Sequence, residues 1–226
     1  MPIKCRPMFE PNLRVLHAAQ RELWKELSGV PSQFVLYGGT ALALQLGHRQ
    51  SVDFDFFCSQ TFNPGQLFDR LAFLADSQVI QQAANTLTCR VIRDEPVLVS
   101  FFGLPSMRQI GAPLIAADNN VAVASLLNLA GTKASVVQQR AEAKDYIDLD
   151  ALFAAGVSLP QALAAAHAIY GDKFNAQLTL KALSFFGDGD LPSLAEGVQQ
   201  RIRVAVRSID LDHLPATSQS LSPIGP

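Results

Sequence analysis

The sequence predicts an α/β protein of the α+β kind: a mixed-sheet core followed by a helical C-terminal half. Three observations carry this. The apolar run at residues 33–37, QFVLY, leads straight into Gly38-Gly39. Residues 51–57, SVDFDFF, alternate strictly, with Val52, Phe54 and Phe56 on one side and Asp53 and Asp55 on the other. That is the period-two signature of a strand with one wet, acidic face. Beyond Pro113 the alternation stops and helical periodicity takes over.

In order along the chain, residues 12–27 place Leu13, Val15, Leu16, Ala19, Leu23 and Leu27 near helical period. An amphipathic helix is expected there, ending near Gly29 and Pro31. Residues 33–37 suit a buried strand, and residues 40–46, TALALQL, a helix closed by Gly47. The alternating strand at 51–57 follows. Residues 64–75 read as a helix with Pro64 at its start, where a missing N–H is harmless. Strands are expected at 78–82, 86–93 and 97–102, the last two joined by a turn at Asp94-Glu95-Pro96. Helices are expected at 120–129, 134–154, 159–169, 174–185 and 191–206. The expected organisation is a core over 1–118, a helical region over 119–214 packed on it, and a flexible Ser- and Pro-rich tail over 215–226.

Composition narrows the function classes. With 226 residues, 49% hydrophobic and 17% charged, the chain is long and apolar enough for a sizeable core. A net charge of -2 gives no global basic field for nucleic acid, although a local basic groove stays compatible with it. Cys5, Cys58 and Cys89 are odd in number and lack zinc spacing, which argues against a disulfide framework or a structural zinc site. The N-terminal MPIKCRPMFEP has no secretory pattern, and the apolar stretch 121–130 is too short to cross a bilayer. A cytoplasmic protein without a membrane partner is expected. His17, His48, His167 and His213 form no ligand spacing, and Trp24 and the Phe residues read as core.

Chemistry concentrates between residues 37 and 57. The order is strand, Gly38-Gly39-Thr40, helix, then Asp53-x-Asp55 on the next strand, with 13 residues between Gly39 and Asp53. Paired glycines let backbone N–H groups come close to a phosphate, and the following helix offers its positive end. Thr40 adds a hydroxyl. Two carboxylates one residue apart on a strand point the same way and repel. A divalent cation relieves that repulsion, and Mg²⁺ favours one or two carboxylates plus substrate phosphates.

The segment YGGTALALQLGHRQSVDFDFF resembles the signature of the DNA polymerase beta superfamily of nucleotidyltransferases. More narrowly it is similar to the AbiEii/AbiGii-type abortive-infection toxins, which are paired with antitoxins. Arg49 and Ser51 fit that narrower pattern. A second block, LLNLAGTKASVVQQRAEAKDYIDLDALF, places Lys133, Arg140, Lys144, Asp145, Asp148 and Leu149 where such proteins carry Lys, Arg and a basic-Asp-x-x-Asp-Leu run. The resemblance implies a nucleotidyltransferase fold and transfer from a nucleoside triphosphate. It implies Mg²⁺ (or Mn²⁺) on Asp53 and Asp55, an acceptor that is tRNA, other RNA or protein, and an antitoxin protein partner. Gly38, Gly39, Thr40, Arg49, Ser51, Lys133, Arg140 and Lys144 would bind nucleotide, and Asp53, Asp55, Lys133 and Asp145 would be catalytic. On an unbroken helix, at about 100° per residue, Lys133, Arg140 and Lys144 fall within roughly 40° of one another, a cationic face suited to a triphosphate.

One position departs from the superfamily. Its usual third carboxylate, on a later strand, corresponds to Ser100 in PVLVSFFGL. Asp94 and Glu95 lie about 15–20 Å away along an extended strand. Three outcomes stay open: one strong metal site, a substitute carboxylate, or nucleotide binding without turnover. Two functional readings follow. One is a nucleotidyltransferase enzyme, the toxin of a toxin–antitoxin pair; the other is a degenerate domain that binds nucleotide or a partner protein.

Overall fold

The computed structural model describes residues 7–215 and 221–225. In chain order its main elements are β1 Met8–Phe9, α1 Ala18–Glu26, β2 Val35–Tyr37, α2 Gly38–Leu46, β3 Asp53–Cys58 and α3 Pro64–Arg70. β4 Gln78–Ala83, β5 Thr86–Arg93, β6 Glu95–Gly103, β7 Arg108–Ile110, β8 Leu114–Ala116 and β9 Ala122–Val123 follow. The remainder is α4 Leu126–Val136, α5 Ala143–Ala154, α6 Leu159–Tyr170, α7 Ala176–Ser184, α8 Glu196–Arg207 and β10 Leu221–Pro223. The chain divides into two compact units. The first takes the described chain to Met107, Ala112–Ser125 and the residues from Pro223; the second takes Arg108–Gly111 and Leu126–Ser222.

The first unit is built on an eight-stranded mixed sheet ordered β1-β8-β9-β2-β3-β6-β5-β4. β3 pairs antiparallel with β2 and parallel with β6, and β5 pairs antiparallel with β6 and β4. The alternation seen in the sequence separates the two faces. Phe54 and Phe56 are fully buried, while Asp53 and Asp55 are partly exposed. On the apolar face Trp24 of α1 stacks on Phe54 with ring centroids 6.0 Å apart, and its Nε1 donates to Asp118 at 2.8 Å. Each such buried side chain contributes about 1.5–3 kcal/mol of hydrophobic stabilisation, so this layer fixes the strand from which the aspartates project. At the sheet's far edge all six residues of β4 are exposed, and a bulge between Val79 and Gln81 leaves Ile80 outside the register.

Several elements differ from expectation, each for a local reason. The helix expected at 12–27 is a 3-10 turn, Leu13–Val15, followed by α1, because Leu16 is extended and His17 restarts the helix as its N-cap. The helix expected at 64–75 stops at Arg70, where Leu71 turns extended. The Asp94 turn is tighter than expected: Arg93 pairs with Glu95, and Asp94 takes φ 56. The helix expected from 120 begins at Leu126. Ala122 and Val123 instead add a strand to the sheet, Val123 opposite Leu36, so the first unit runs to Ser125.

The second unit is mainly helical. Gly131 lets α4 approach α6: a Cβ there would lie 2.9 Å from the Ala165 carbonyl carbon. Asn128 imitates a strand partner, accepting from the Ile110 N–H at 2.7 Å and donating to the Ile110 carbonyl at 3.0 Å. The single helix expected at 134–154 is broken between Val136 and Ala143. No Gly or Pro marks the break. Side chains capture the linker instead: Gln138 Nε2 donates to the Asn175 carbonyl and to Thr179 Oγ1, and Asp190 accepts from the Ala143 N–H at 2.6 Å.

Part of the expected flexible tail is ordered. Leu221–Pro223 forms β10 beside β7. The Ile224 carbonyl accepts from both the N–H and the hydroxyl of Ser59. Residues 216–220 and 226 of that tail, and Cys5, lie outside the described residues. Cys58 and Cys89 are buried thiols whose pKa burial pushes up. Among the described residues no single helix is long and apolar enough to cross a membrane.

Candidate active site

The first unit gathers seven of the residues singled out by sequence around one turn. Gly38 leaves β2 with φ +75, a backbone conformation that L side chains rarely adopt. The Asp55 carboxylate fills the space beside it: a Cβ on Gly38 would sit 2.9 Å from Asp55 Oδ2. The next residue is equally constrained. A Cβ on Gly39 would overlap the Arg49 guanidinium and lie 3.0 Å from Ser51 Oγ. The two glycines thus admit a carboxylate on one side and a guanidinium and hydroxyl on the other. That is the physical need for Gly-Gly here, beyond a simple turn.

Thr40 is buried, and its hydroxyl donates to the Asp53 backbone carbonyl at 2.5 Å. The bond ties the first turn of α2 to the start of β3. Thr40 therefore acts in this structure as a strut, not as a hydroxyl presented to a ligand. Arg49 lies in the loop between α2 and β3, with Nη1 donating to the Gln50 carbonyl at 2.8 Å. Asp53 and Asp55 occupy the same face of β3, as the alternation requires.

The register shows what Ser100 faces across the sheet. Asp55 is opposite Ser100 on β6, and Ser100 is opposite Thr88 on β5. Ser100 is buried, and its Oγ accepts from Thr88 Oγ1 at 3.3 Å. A serine beside a threonine replaces charge with a neutral hydroxyl pair. Among the described residues no group of three or more His, Cys, Asp or Glu side chains is arranged to hold a metal ion. A metal ion held by Asp53 and Asp55 would have two protein carboxylates as donors. That fits Mg²⁺, which keeps water and takes substrate phosphate oxygens, better than it fits a metal needing an all-protein cage.

In the second unit Lys133 and Asp145 lie in a buried charge cluster that Arg140 joins from its exposed side. Lys133, on α4, is 5% exposed, and its ammonium meets Asp145 at 2.6 Å and Asp148 at 2.5 Å. Both carboxylates, on α5, are fully buried. Arg140 reaches Asp145 Oδ2 through Nε at 2.8 Å. Two cations and two carboxylates balance. Burial alone would raise the Asp145 pKa, but the Arg140 hydrogen bond and the Lys133 charge outweigh it and hold it below the ordinary aspartate value. Lys144 turns aside to pair with Glu142 at 2.7 Å.

The expected cationic face on one unbroken helix is therefore corrected. Lys133 stands on α4, Arg140 in the linker and Lys144 on α5. They do not share a helical face, because the helix breaks between them. The break itself brings Lys133 and Arg140 to one carboxylate. Asp148 was not assigned a role from sequence. Its signal was the i, i+3 spacing with Asp145, which puts both carboxylates on one side of α5.

Comparison with known proteins places the chain among nucleotidyltransferase-like folds. The chain shares 32% identity over 146 residues with protein aq_aa25 of Aquifex aeolicus (strain VF5), covering 61% of this chain and 66% of that one. Its fold is similar to MenT4, the nucleotidyltransferase toxin Rv2826c from Mycobacterium tuberculosis H37Rv, with a TM-score of 0.61. That match has 18% identity and covers 86% of this chain and 83% of the other. An antigenic nucleotidyltransferase-like protein from Paracoccidioides brasiliensis aligns with a TM-score of 0.46 at 18% identity, over 83% of this chain and 89% of that one. The family model described as nucleotidyl transferase AbiEii toxin, type IV TA system, matches residues 22–217, most of the chain. Because that match spans most of the chain, the chain belongs to the AbiEii nucleotidyltransferase toxin family.

Proposed function

We propose that this chain transfers a nucleotide from a Mg²⁺-bound nucleoside triphosphate to a hydroxyl of an RNA or protein acceptor. The observation that carries the reading is the seating of the Asp55 carboxylate against Gly38, at the start of a helix. It sets a carboxylate pair beside a backbone able to take phosphate. Asp53 and Asp55 would hold the metal ion, which supplies charge neutralisation at the phosphates and a template for in-line displacement. Gly38 and Gly39 let the triphosphate approach the backbone. Thr40 keeps Asp53 in place through its carbonyl. Arg49 and Ser51 flank the same turn and present polar groups to phosphate.

In the second unit Lys133 is buried and already meets two carboxylates, which supports an internal pairing role there in place of the phosphate contact expected from the resemblance. Asp145 and Asp148 hold that ammonium in place between them. Both Asp145 oxygens accept from cations and its pKa is lowered, so it is poorly suited to take a proton from an acceptor. The reading places the chain in the cytoplasm, where triphosphates and RNA meet, with an antitoxin as its protein counterpart.

The test is transfer of α-labelled nucleotide in the presence of Mg²⁺ or Mn²⁺ to total RNA and to total protein. Ribonuclease or protease sensitivity of the product identifies the acceptor. Asp53→Asn and Asp55→Asn should each lower transfer at least a hundredfold, because each removes a metal ligand while keeping the shape. Transfer that survives both changes rules the assignment out. A second reading is favoured by Ser100, which stands opposite Asp55 where a third carboxylate would be. In that reading the chain binds nucleotide without turnover. Metal-dependent binding with no product in either acceptor pool would select it.

A further inference from the structure

We propose that Arg49 is the counter-ion of the Asp53 and Asp55 carboxylate pair, so that the pair accepts metal together with nucleotide and resists metal alone. The inference rests on the reading of Asp53 and Asp55 as the metal pair and adds to it the order in which ligands bind.

Two carboxylates on one strand face repel each other when no cation lies between them. The structure sets one cation against the same turn. Asp55 Oδ2 occupies the space beside Gly38, and Arg49 Nη2 the space beside Gly39. The two Cα atoms are joined by one trans peptide and so lie about 3.8 Å apart. Carboxylate and guanidinium therefore flank a single peptide unit. Arg49 is not a loose surface side chain. It is partly buried, its Nη1 is anchored on the Gln50 carbonyl, and Ser51 Oγ lies beside it over Gly39.

Arginine suits such a role better than lysine. Its charge is permanent, and its planar fork fits carboxylate and phosphate oxygens equally well. Without ligand the guanidinium offsets the carboxylate charge. A bare divalent ion must enter against it. A unit positive charge one side-chain length from a divalent ion lowers affinity about tenfold even at the dielectric of water. A nucleoside triphosphate gives the guanidinium a second anionic partner. The cation then exchanges partners within the site instead of leaving it, and the metal binds with its nucleotide.

The measurement is Mn²⁺ affinity by electron paramagnetic resonance titration, on the full chain, with and without ATP. The parent, Arg49→Met, Asp53→Asn and the double variant are compared, each checked for native far-UV circular dichroism. The parent should bind Mn²⁺ weakly alone. Arg49→Met should bind Mn²⁺ alone about tenfold more tightly and lose most of the gain that ATP gives the parent. Equal or weaker Mn²⁺ binding by Arg49→Met overturns the proposal. If the tightening appears but survives Asp53→Asn in the double variant, the metal lies elsewhere, and the carboxylate-pair assignment fails instead. Arg49→Lys keeps the charge without the fork and should stay close to the parent for Mn²⁺ alone. A tenfold gain there too would mean that packing over Gly39, not charge, sets the affinity, and would likewise overturn the proposal.

Discussion

Replacing Asp145 by Asn tests the buried cluster most directly. The change keeps the shape and removes one charge. Lys133, 5% exposed, would keep only the Asp148 carboxylate, and Arg140 would lose its partner on Oδ2. Lys133 then shares a buried site with one carboxylate in place of two, and Arg140 keeps the more distant Glu142 at 3.6 Å. Removing one partner of a buried pair costs about 3–5 kcal/mol. That is a large share of the roughly 5–15 kcal/mol that separates folded from unfolded domains. Arg140 has a side-chain exposure of 43% and can turn to water, so the lower end is expected. The quadruple change Lys133→Met, Arg140→Met, Asp145→Asn and Asp148→Asn removes two positive and two negative charges together and should recover most of the loss.

The assay must follow the right unit. Trp24, the single tryptophan, lies in the first unit and reports that unit alone. Urea unfolding of the second unit is better followed by far-UV circular dichroism, with Trp24 fluorescence as the internal control. The reasoning is refuted if Asp145→Asn costs under about 1 kcal/mol, the range of an exposed pair. It is also refuted if the quadruple variant is as unstable as the single one.

Three further outcomes are expected. Gly38→Ala forces a side chain into φ +75 and sets a Cβ 2.9 Å from Asp55 Oδ2. It should cost about 1–2 kcal/mol in the Trp24-monitored transition and weaken ATP binding, and an unchanged melting curve would contradict the geometry. Ser100→Asp adds a third carboxylate opposite Asp55; it should lower the melting temperature without metal and regain it in Mn²⁺ to a greater degree than the parent, as read by differential scanning calorimetry. Acid should loosen the second unit through Asp145. Its pKa is lowered on folding, so its contribution is full above the ordinary aspartate pKa of about 3.9 and is lost as pH falls through the lowered value. Asp145→Asn should flatten that part of a stability–pH curve measured by circular dichroism.

Legibility in the sequence followed locality. The aspartate strand could be read because its period is two and its glycine turn adjoins it in sequence. The pairing of Ser100 with Asp55 could be anticipated from the family pattern, but only the register established it. What could not be read depended on distant partners. Ala122 and Val123 have no strand-like pattern of their own; their strand exists because β2 and β8 offer an edge. The break between α4 and α5 comes from Asn175, Thr179 and Asp190, all more than thirty positions beyond the residues they hold. Thr40 has a residue type that suits a phosphate ligand, which is what the sequence suggests. Its burial, a tertiary fact, gives the hydroxyl to the Asp53 carbonyl instead.

The bulge in β4 has a consequence for the protein's solution behaviour. The strand reads Gln-Val-Ile-Gln-Gln-Ala, with no charge and no proline, and Val79 and Ile80 stand in water. Such a neutral border can recruit like strands from other molecules into a growing fibril. The unpaired Ile80 interrupts the ladder midway, so an incoming strand finds two short stubs instead of one continuous template. Colloidal stability at this border therefore rests on one irregular residue. A deletion of Ile80, though it removes a greasy side chain from the surface, would straighten the strand and make the protein more prone to clump.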